Sequence, residues 1–187
     1  MNVKPTYIAT LNAIANGERR AYEFLETWSR TTPNPEIRRI LHTVALRVAE
    51  HAASFEKRIN ELGFELVPTE DDDVARTMHI ASSGLPDSEK FVQLGVGQPR
   101  DDDGDDRLLQ VLADHTIDPH TGALLGRFIA EERDSVRLLE GANALASRIT
   151  PAPHVPQSDR QETLADIRRQ LAARSSAVSE LHEVGGK

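Results

Sequence analysis

The sequence predicts an all-α fold, a four-helix bundle built from two related helix pairs and followed by a C-terminal helix. Three observations carry this reading. Apolar residues recur in steps of three and four over long stretches: Leu11, Ile14, Ala21, Leu25 and Trp28; then Ile37, Leu41, Val44, Val48, Phe55 and Leu62; then Leu125, Phe128, Leu139 and Ala142. That spacing turns one helix face toward a core. Two of the stretches open alike, with a side-chain cap followed by proline, Asn34-Pro35 and Asp118-Pro119, and proline suits the first helical position, where its missing N–H costs nothing. The same stripes are interrupted in mid-helix by Glu18, His51, Glu132 and Ser135. A carboxylate buried alone is strongly unfavourable, so these groups must meet one another, an arginine or a metal.

The first helix is expected from about Thr6 to Ser29, ended by Thr31-Thr32-Pro33. The second runs from Pro35 to Leu62, with Gly63 as its stop. The connection over 64–104 carries Gly84, Pro86, Gly95, Gly97, Pro99 and an acidic run, and is irregular apart from short helices at about 71–82 and 88–94. A further helix is expected over 105–115, with Leu108, Leu109 and Leu112 inward, and a long one from Asp118-Pro119 to Ile149. Residues 1–150 thus form the bundle, 151–158 a stiff linker with Pro151, Pro153 and Pro156, and 159–187 an amphipathic helix and tail. The stripe Leu164, Ile167, Leu171, Val178, Leu181 needs a partner surface, which predicts a homodimer.

Composition bounds the function classes. With 39% hydrophobic and 28% charged residues, the chain can build a core and stay soluble. A net charge of −8, with adjacent arginines reaching no more than scattered pairs such as Arg19–Arg20, Arg38–Arg39 and Arg168–Arg169, argues against nucleic acid as a partner. No cysteine is present, which excludes disulfides, iron–sulfur clusters and thiol nucleophiles. No apolar run approaches a membrane span and the N-terminus has no signal-peptide core, so the expected location is cytoplasmic, with no membrane partner.

A duplication shows in the spacing. His51 follows Pro35 at the same interval as Ser135 follows Pro119, and in that register Asn34 matches Asp118, Leu41 matches Leu125, Val48 matches Glu132 and Glu50 matches Asp134. Two helix pairs on one plan imply a pseudo-twofold bundle.

Three segments resemble the ferritin-like superfamily, its rubrerythrin-type members most. Gly17-Glu18-Arg19-Arg20-Ala21 is similar to the Gly-Glu-x-x-Ala segment of the first helix, Glu50-His51-Ala52-Ala53-Ser54-Phe55 to the Glu-His-Ala-x-x-Phe end of the second, and Ile129 to Arg133 to the fourth. The resemblance covers about 6–62 and 105–149. It implies a di-iron centre in which each iron takes a glutamate from one helix and a Glu-x-x-His pair from the next. Carried over residue by residue, the first helix supplies Glu18. The second supplies Val48 and His51, so its glutamate is missing; the fourth supplies Glu132 and Ser135, so its histidine is missing. The third helix should give an acid near Asp102, where Gly95, Gly97, Pro99 and Gly104 break helical character. Without cysteine, the rubredoxin-type iron centre of full rubrerythrins is excluded.

The candidate metal ligands are therefore Glu18, His51 and Glu132. Each has a plainer reading: a buried glutamate paired with arginine or histidine, a satisfied core histidine, and a position shared with Glu131, which fits the alternative stripe Leu124, Phe128, Glu131, Ser135, Leu138. Glu50 lies off the stripe and is expected in solvent or a salt bridge. The run Asp101 to Asp106 lacks the spacing of a calcium loop. His79, His115, His120, His154 and His182 show no ligand spacing. Two functions follow. In the favoured one the site is vestigial, no cofactor is bound, and the bundle is a non-catalytic oligomerising or interaction module. In the alternative, Glu18, His51 and Glu132 hold a single Fe, Mn or Zn ion, with oxidation chemistry a possible use.

Overall fold

A computed structural model describes residues 5–69, 73–98, 109 and 112–149. The chain divides into two units, Met1–Thr150 and Pro151–Lys187, and every described residue belongs to the first. Among the described residues there are helices α1 (Ile8–Thr31), α2 (Pro35–Glu61), α3 (Val74–Ser82), α4 (Asp87–Leu94) and α5 (Pro119–Ile149), and no strand. None is long and apolar enough to cross a membrane.

The helix boundaries follow from local chemistry. Asn34 Oδ1 accepts from the backbone N–H groups of Glu36 and Ile37 at 2.9 and 3.0 Å, and Asp118 Oδ1 accepts from those of His120 and Thr121 at 3.0 and 3.1 Å. Each cap satisfies donors that the first helical turn leaves open. α2 ends where Gly63 takes φ 82°, with Gly63 N–H bonded to Asn60 O at 2.9 Å and Phe64 N–H to Ile59 O at 3.1 Å, the paired closure that a left-handed glycine permits. The segment after it is laid along α1 by Asn12, whose side chain both donates to Val67 O at 2.9 Å and accepts from Val67 N–H at 2.7 Å.

The contacts give the directions of the long helices. Glu18, Arg19 and Glu26 of α1 meet His51, Glu56 and His42 of α2 in that order, so the pair is antiparallel. Arg58 reaches Thr121 and Asp118 while Arg47 reaches Ser135, so α2 and α5 are antiparallel as well. Tyr7 Oη donates to Asp118 at 2.9 Å, joining the starts of α1 and α5. The short helices cover the far end: Phe91 of α4 meets Trp28 edge-on with ring centroids 4.5 Å apart. Gly97, at φ 62°, presses so closely on α5 that a Cβ there would sit 2.6 Å from Leu139 O.

Two apolar clusters form the core. One contains Leu25, Trp28, Ile37, Leu41, Val44, Val48, Phe91, Leu139 and Ala142. The other contains Leu11, Ala15, Phe55, Ile59, Leu125, Phe128 and Ile129. On all three long helices the gap between them is polar: Glu18 on α1, His51 on α2, and Glu131, Glu132 and Ser135 on α5.

One expectation fails here. Leu109 and Leu112 do not face inward; they are 47% and 40% exposed. The chain turns at 112–113, and Asp114 Oδ1 then accepts from Thr116 N–H at 2.8 Å and from Thr116 Oγ1 at 2.6 Å. Such local side-chain bonds compete with the helical ladder for the same backbone groups. Residues 105–108, 110 and 111 of that expected helix, Asp102, the linker 151–158 and the helix 159–187 lie outside the described residues.

Candidate metal centre

The middle polar layer is built by three helices. Glu18 projects from α1 and is 9% exposed; His51, on α2, is 3% exposed. Glu131 and Glu132, successive on α5, approach from that helix with partly buried side chains. The imidazole is the hub. Its Nδ1 lies 3.0 Å from Glu18 Oε2 and 3.8 Å from Glu132 Oε1, and its Nε2 lies 2.7 Å from Glu131 Oε2. Phe128 meets the ring edge-on, with centroids 5.1 Å apart, which closes the apolar side of the layer.

The structure thus brings together all three candidate ligands. One ligating atom from each of Glu18, His51 and Glu132 lies within 4.8 Å of the others. Glu131 and Glu132 both reach the imidazole, each at a different ring nitrogen. Successive helical residues point about 100° apart, but glutamate is long enough to reach the same neighbour from either side of the stripe. Glu50 is exposed and accepts from Arg127 at 2.6 Å, as its place off the stripe predicts. His79, His115 and His120 are exposed.

Charge organises the layer. Burial alone pushes the His51 imidazole toward its neutral form; the hydrogen bonds to Glu18 and Glu131 and the charges of Glu18 and Glu132 outweigh it and hold its pKa above the ordinary histidine value. The hydrogen bond to His51, helped by Arg127, in turn holds Glu131 below the usual carboxylate range against the effect of burial. Without an ion, the imidazole in its charged form lies between two acceptors.

A two-iron centre does not fit these residues. Val48 is 4% exposed within the apolar cluster, where a second bridging carboxylate would have to stand. Ser135 is not a bystander: its hydroxyl accepts from Arg47 Nη1 at 2.9 Å, and Arg47 also donates to Glu131 O at 3.1 Å and to Asp134 at 2.9 Å. A guanidinium therefore covers the flank where a second histidine would bind. Sequence reasoning missed Arg47, although its place beside Val48 was a usable signal; it also missed Arg127, whose spacing to Glu131 is that of a helical ion pair. A single ion fits better. Two carboxylates and one imidazole are a donor set that iron, manganese and zinc accept, and the remaining positions would be left to water or substrate.

A second buried polar cluster was not foreseen. Asp87 of α4 accepts from Trp28 Nε1 at 2.7 Å and from Thr32 Oγ1 at 2.6 Å. Lys90, 1% exposed, donates to Thr31 Oγ1 and Ala81 O at 3.0 Å each. Searches of protein-family models, curated proteins and solved structures return no match to this chain.

Proposed function

We propose that the chain is a ferritin-like helical protein that binds one divalent transition-metal ion through Glu18, His51 and Glu132. The observation that carries the reading is the convergence of three ligating atoms within 4.8 Å, from three different helices, in a layer that interrupts an otherwise apolar core. Glu18 and Glu132 supply charge, and His51 supplies a neutral nitrogen once its Nδ1 proton leaves. Iron or manganese bound there would supply redox chemistry, and zinc would supply Lewis acidity. The chain's own part is to fix the ligands on rigid helices and to exclude bulk water with Phe128 and Val48.

Carboxylate excess supports this reading over a purely structural one. Glu18, Glu131 and Glu132 all bring a carboxylate oxygen within 3.8 Å of one imidazole. Arg127 answers Glu131, but from an exposed position and shared with Glu50. A dication bound there would be met by carboxylates from two helices, the charge that a divalent ion needs in its ligands.

One observation favours a second reading. His51 already has a carboxylate on each nitrogen, so a histidinium can hold the layer together without metal, as a vestigial centre in an interaction module. Adding Zn(II) or Fe(II) to chelator-stripped protein separates the two. Metal binding raises the melting temperature and the rise disappears in Glu18→Ala; a vestigial layer gives no rise in either protein.

A further inference from the structure

We infer that Glu131 is the positioning residue of this centre: it takes the Nε2–H of His51 and so presents the Nδ1 lone pair to the ion. The inference rests on the single-ion reading above.

The geometry assigns the two ring nitrogens different neighbours. Nδ1 faces Glu18 and Glu132 at 3.0 and 3.8 Å, the two carboxylates of the ligand group, while Nε2 faces Glu131 alone at 2.7 Å. A neutral imidazole has one lone pair and one N–H, and whichever nitrogen carries the proton cannot bind metal. A carboxylate at Nε2 accepts the proton there, which leaves Nδ1 as the metal-binding atom. Turning the ring over would carry Nδ1 away from both ligands and break the Nε2 bond.

Glu131 is itself held in this task. Its Oε1 accepts from Arg127 Nε at 2.9 Å, and Arg127 Nη2 donates to Glu50 at 2.6 Å. Both oxygens of Glu131 are therefore committed, Oε2 to the imidazole and Oε1 to the guanidinium. Glu132, its neighbour on α5, puts its Oε1 on the other side of the ring, 3.8 Å from Nδ1. Two adjacent glutamates thus divide the work, one as ligand and one as the partner that fixes the ligand's orientation. Such partners commonly change metal affinity by 10- to 100-fold when removed.

Glu131→Gln tests this with little change in size. An amide has one acceptor oxygen, which Arg127 Nε–H competes for, and turning the oxygen to Arg127 puts the NH2 group against Nε2. The full-length protein and the variant are titrated with Zn(II) against a chromophoric chelator, and the zinc-loaded forms are compared by long-range ¹H–¹⁵N NMR of the histidine rings. The expected result is a wild-type His51 with metal on Nδ1 and a proton on Nε2, and about 10- to 100-fold weaker zinc binding in Glu131→Gln. Arg127→Gln, which leaves the carboxylate on Nε2, keeps the same nitrogen pattern with a much smaller loss. Wild-type affinity in Glu131→Gln, or zinc on Nε2 in the wild type, overturns the assignment. If the wild type itself takes up no zinc, both this inference and the single-ion reading fall; if it binds zinc and Glu131→Gln binds equally well, only the inference does.

Discussion

Among the described residues, the clusters around Lys90 and His51 both bury charged groups, and they solve the problem in opposite ways. Around Asp87 and Lys90 there is one acid and one base, and their bonds go to neutral partners: an indole N–H, two threonine hydroxyls and a backbone carbonyl at the end of α3. Lys90 is pushed below its ordinary value by burial, and the charge of Asp87 only partly offsets that. Around His51 there are three carboxylates to one imidazole, and oxygens from two of them share the Nδ1 side, with the ligating atoms within 4.8 Å of one another. The first arrangement is closed and ties α4 to the end of α1. The second is convergent, with carboxylates from two helices and one imidazole brought together as a cation would need them.

The contrast is broken most severely at Asp87. Asp87→Ala strands the buried Trp28 Nε1–H and Thr32 hydroxyl, and is expected to cost about 2–6 kcal/mol in urea unfolding, at about 1–3 kcal/mol for each orphaned group. Zinc affinity should stay unchanged. If Asp87→Ala lowers zinc affinity as much as Glu132→Gln does, the two clusters are coupled and not independent.

Metal should stabilise only through the middle layer. Zinc at one hundred times its dissociation constant adds about 2.7 kcal/mol, and His51→Ala should remove the effect. The pH dependence has a definite sign. In the metal-free protein the folded pKa of His51 is raised, so its contribution is complete below the ordinary histidine value and is lost as pH rises through the raised one. Metal stabilisation runs the other way, because ion and proton compete for Nδ1. Melting curves with and without zinc should therefore diverge as pH rises through the histidine range; parallel curves would remove His51 from the ligand set.

A third charged group, Asp118, gives a smaller effect of opposite sign. Burial pushes its carboxyl up, but hydrogen bonds from the Thr121 side chain and backbone, Arg58 and Tyr7 outweigh this and hold it well below the usual range. Its contribution is present above the ordinary aspartate value and is lost as pH falls through the lowered one. Asparagine caps a helix about as well as aspartate, so Asp118→Asn should cost only about 1 kcal/mol near neutral pH, through the charge-assisted bonds to Arg58 and Tyr7, with a shallower acid-side loss. The smallest change is expected at the surface pair Arg19–Glu56, whose side chains are 48% and 41% exposed. Glu56→Gln should move stability by less than about 0.5 kcal/mol.

Much of this was legible in the sequence for local reasons. Cap-and-proline pairs and a left-handed glycine act within a few residues, so the starts of α2 and α5 and the end of α2 could be read directly. The stripes named Glu18 and His51 as inward because helical period alone decides which face a residue shares. What the sequence left open depended on neighbours from other helices. Glu131 and Glu132 were rivals on one helix, and only the position of His51 on α2 shows that each has a place. Ser135 read as a lost ligand, and only the approach of Arg47 shows what its hydroxyl does. Lys90 and Asp87 sit on a helix too short for its period to reveal a buried face, and Leu109 and Leu112 followed a periodic pattern that the Asp114 turn cuts off.

The most direct test of the central claim is metal stoichiometry. Chelator-stripped full-length protein is dialysed to equilibrium against Zn(II), and bound metal is measured by elemental analysis beside Glu18→Gln and Glu132→Gln. A single-ion centre gives close to one equivalent in the wild type and a marked loss in each variant. Content well below one equivalent in the wild type, or one equivalent retained in both variants, would contradict it.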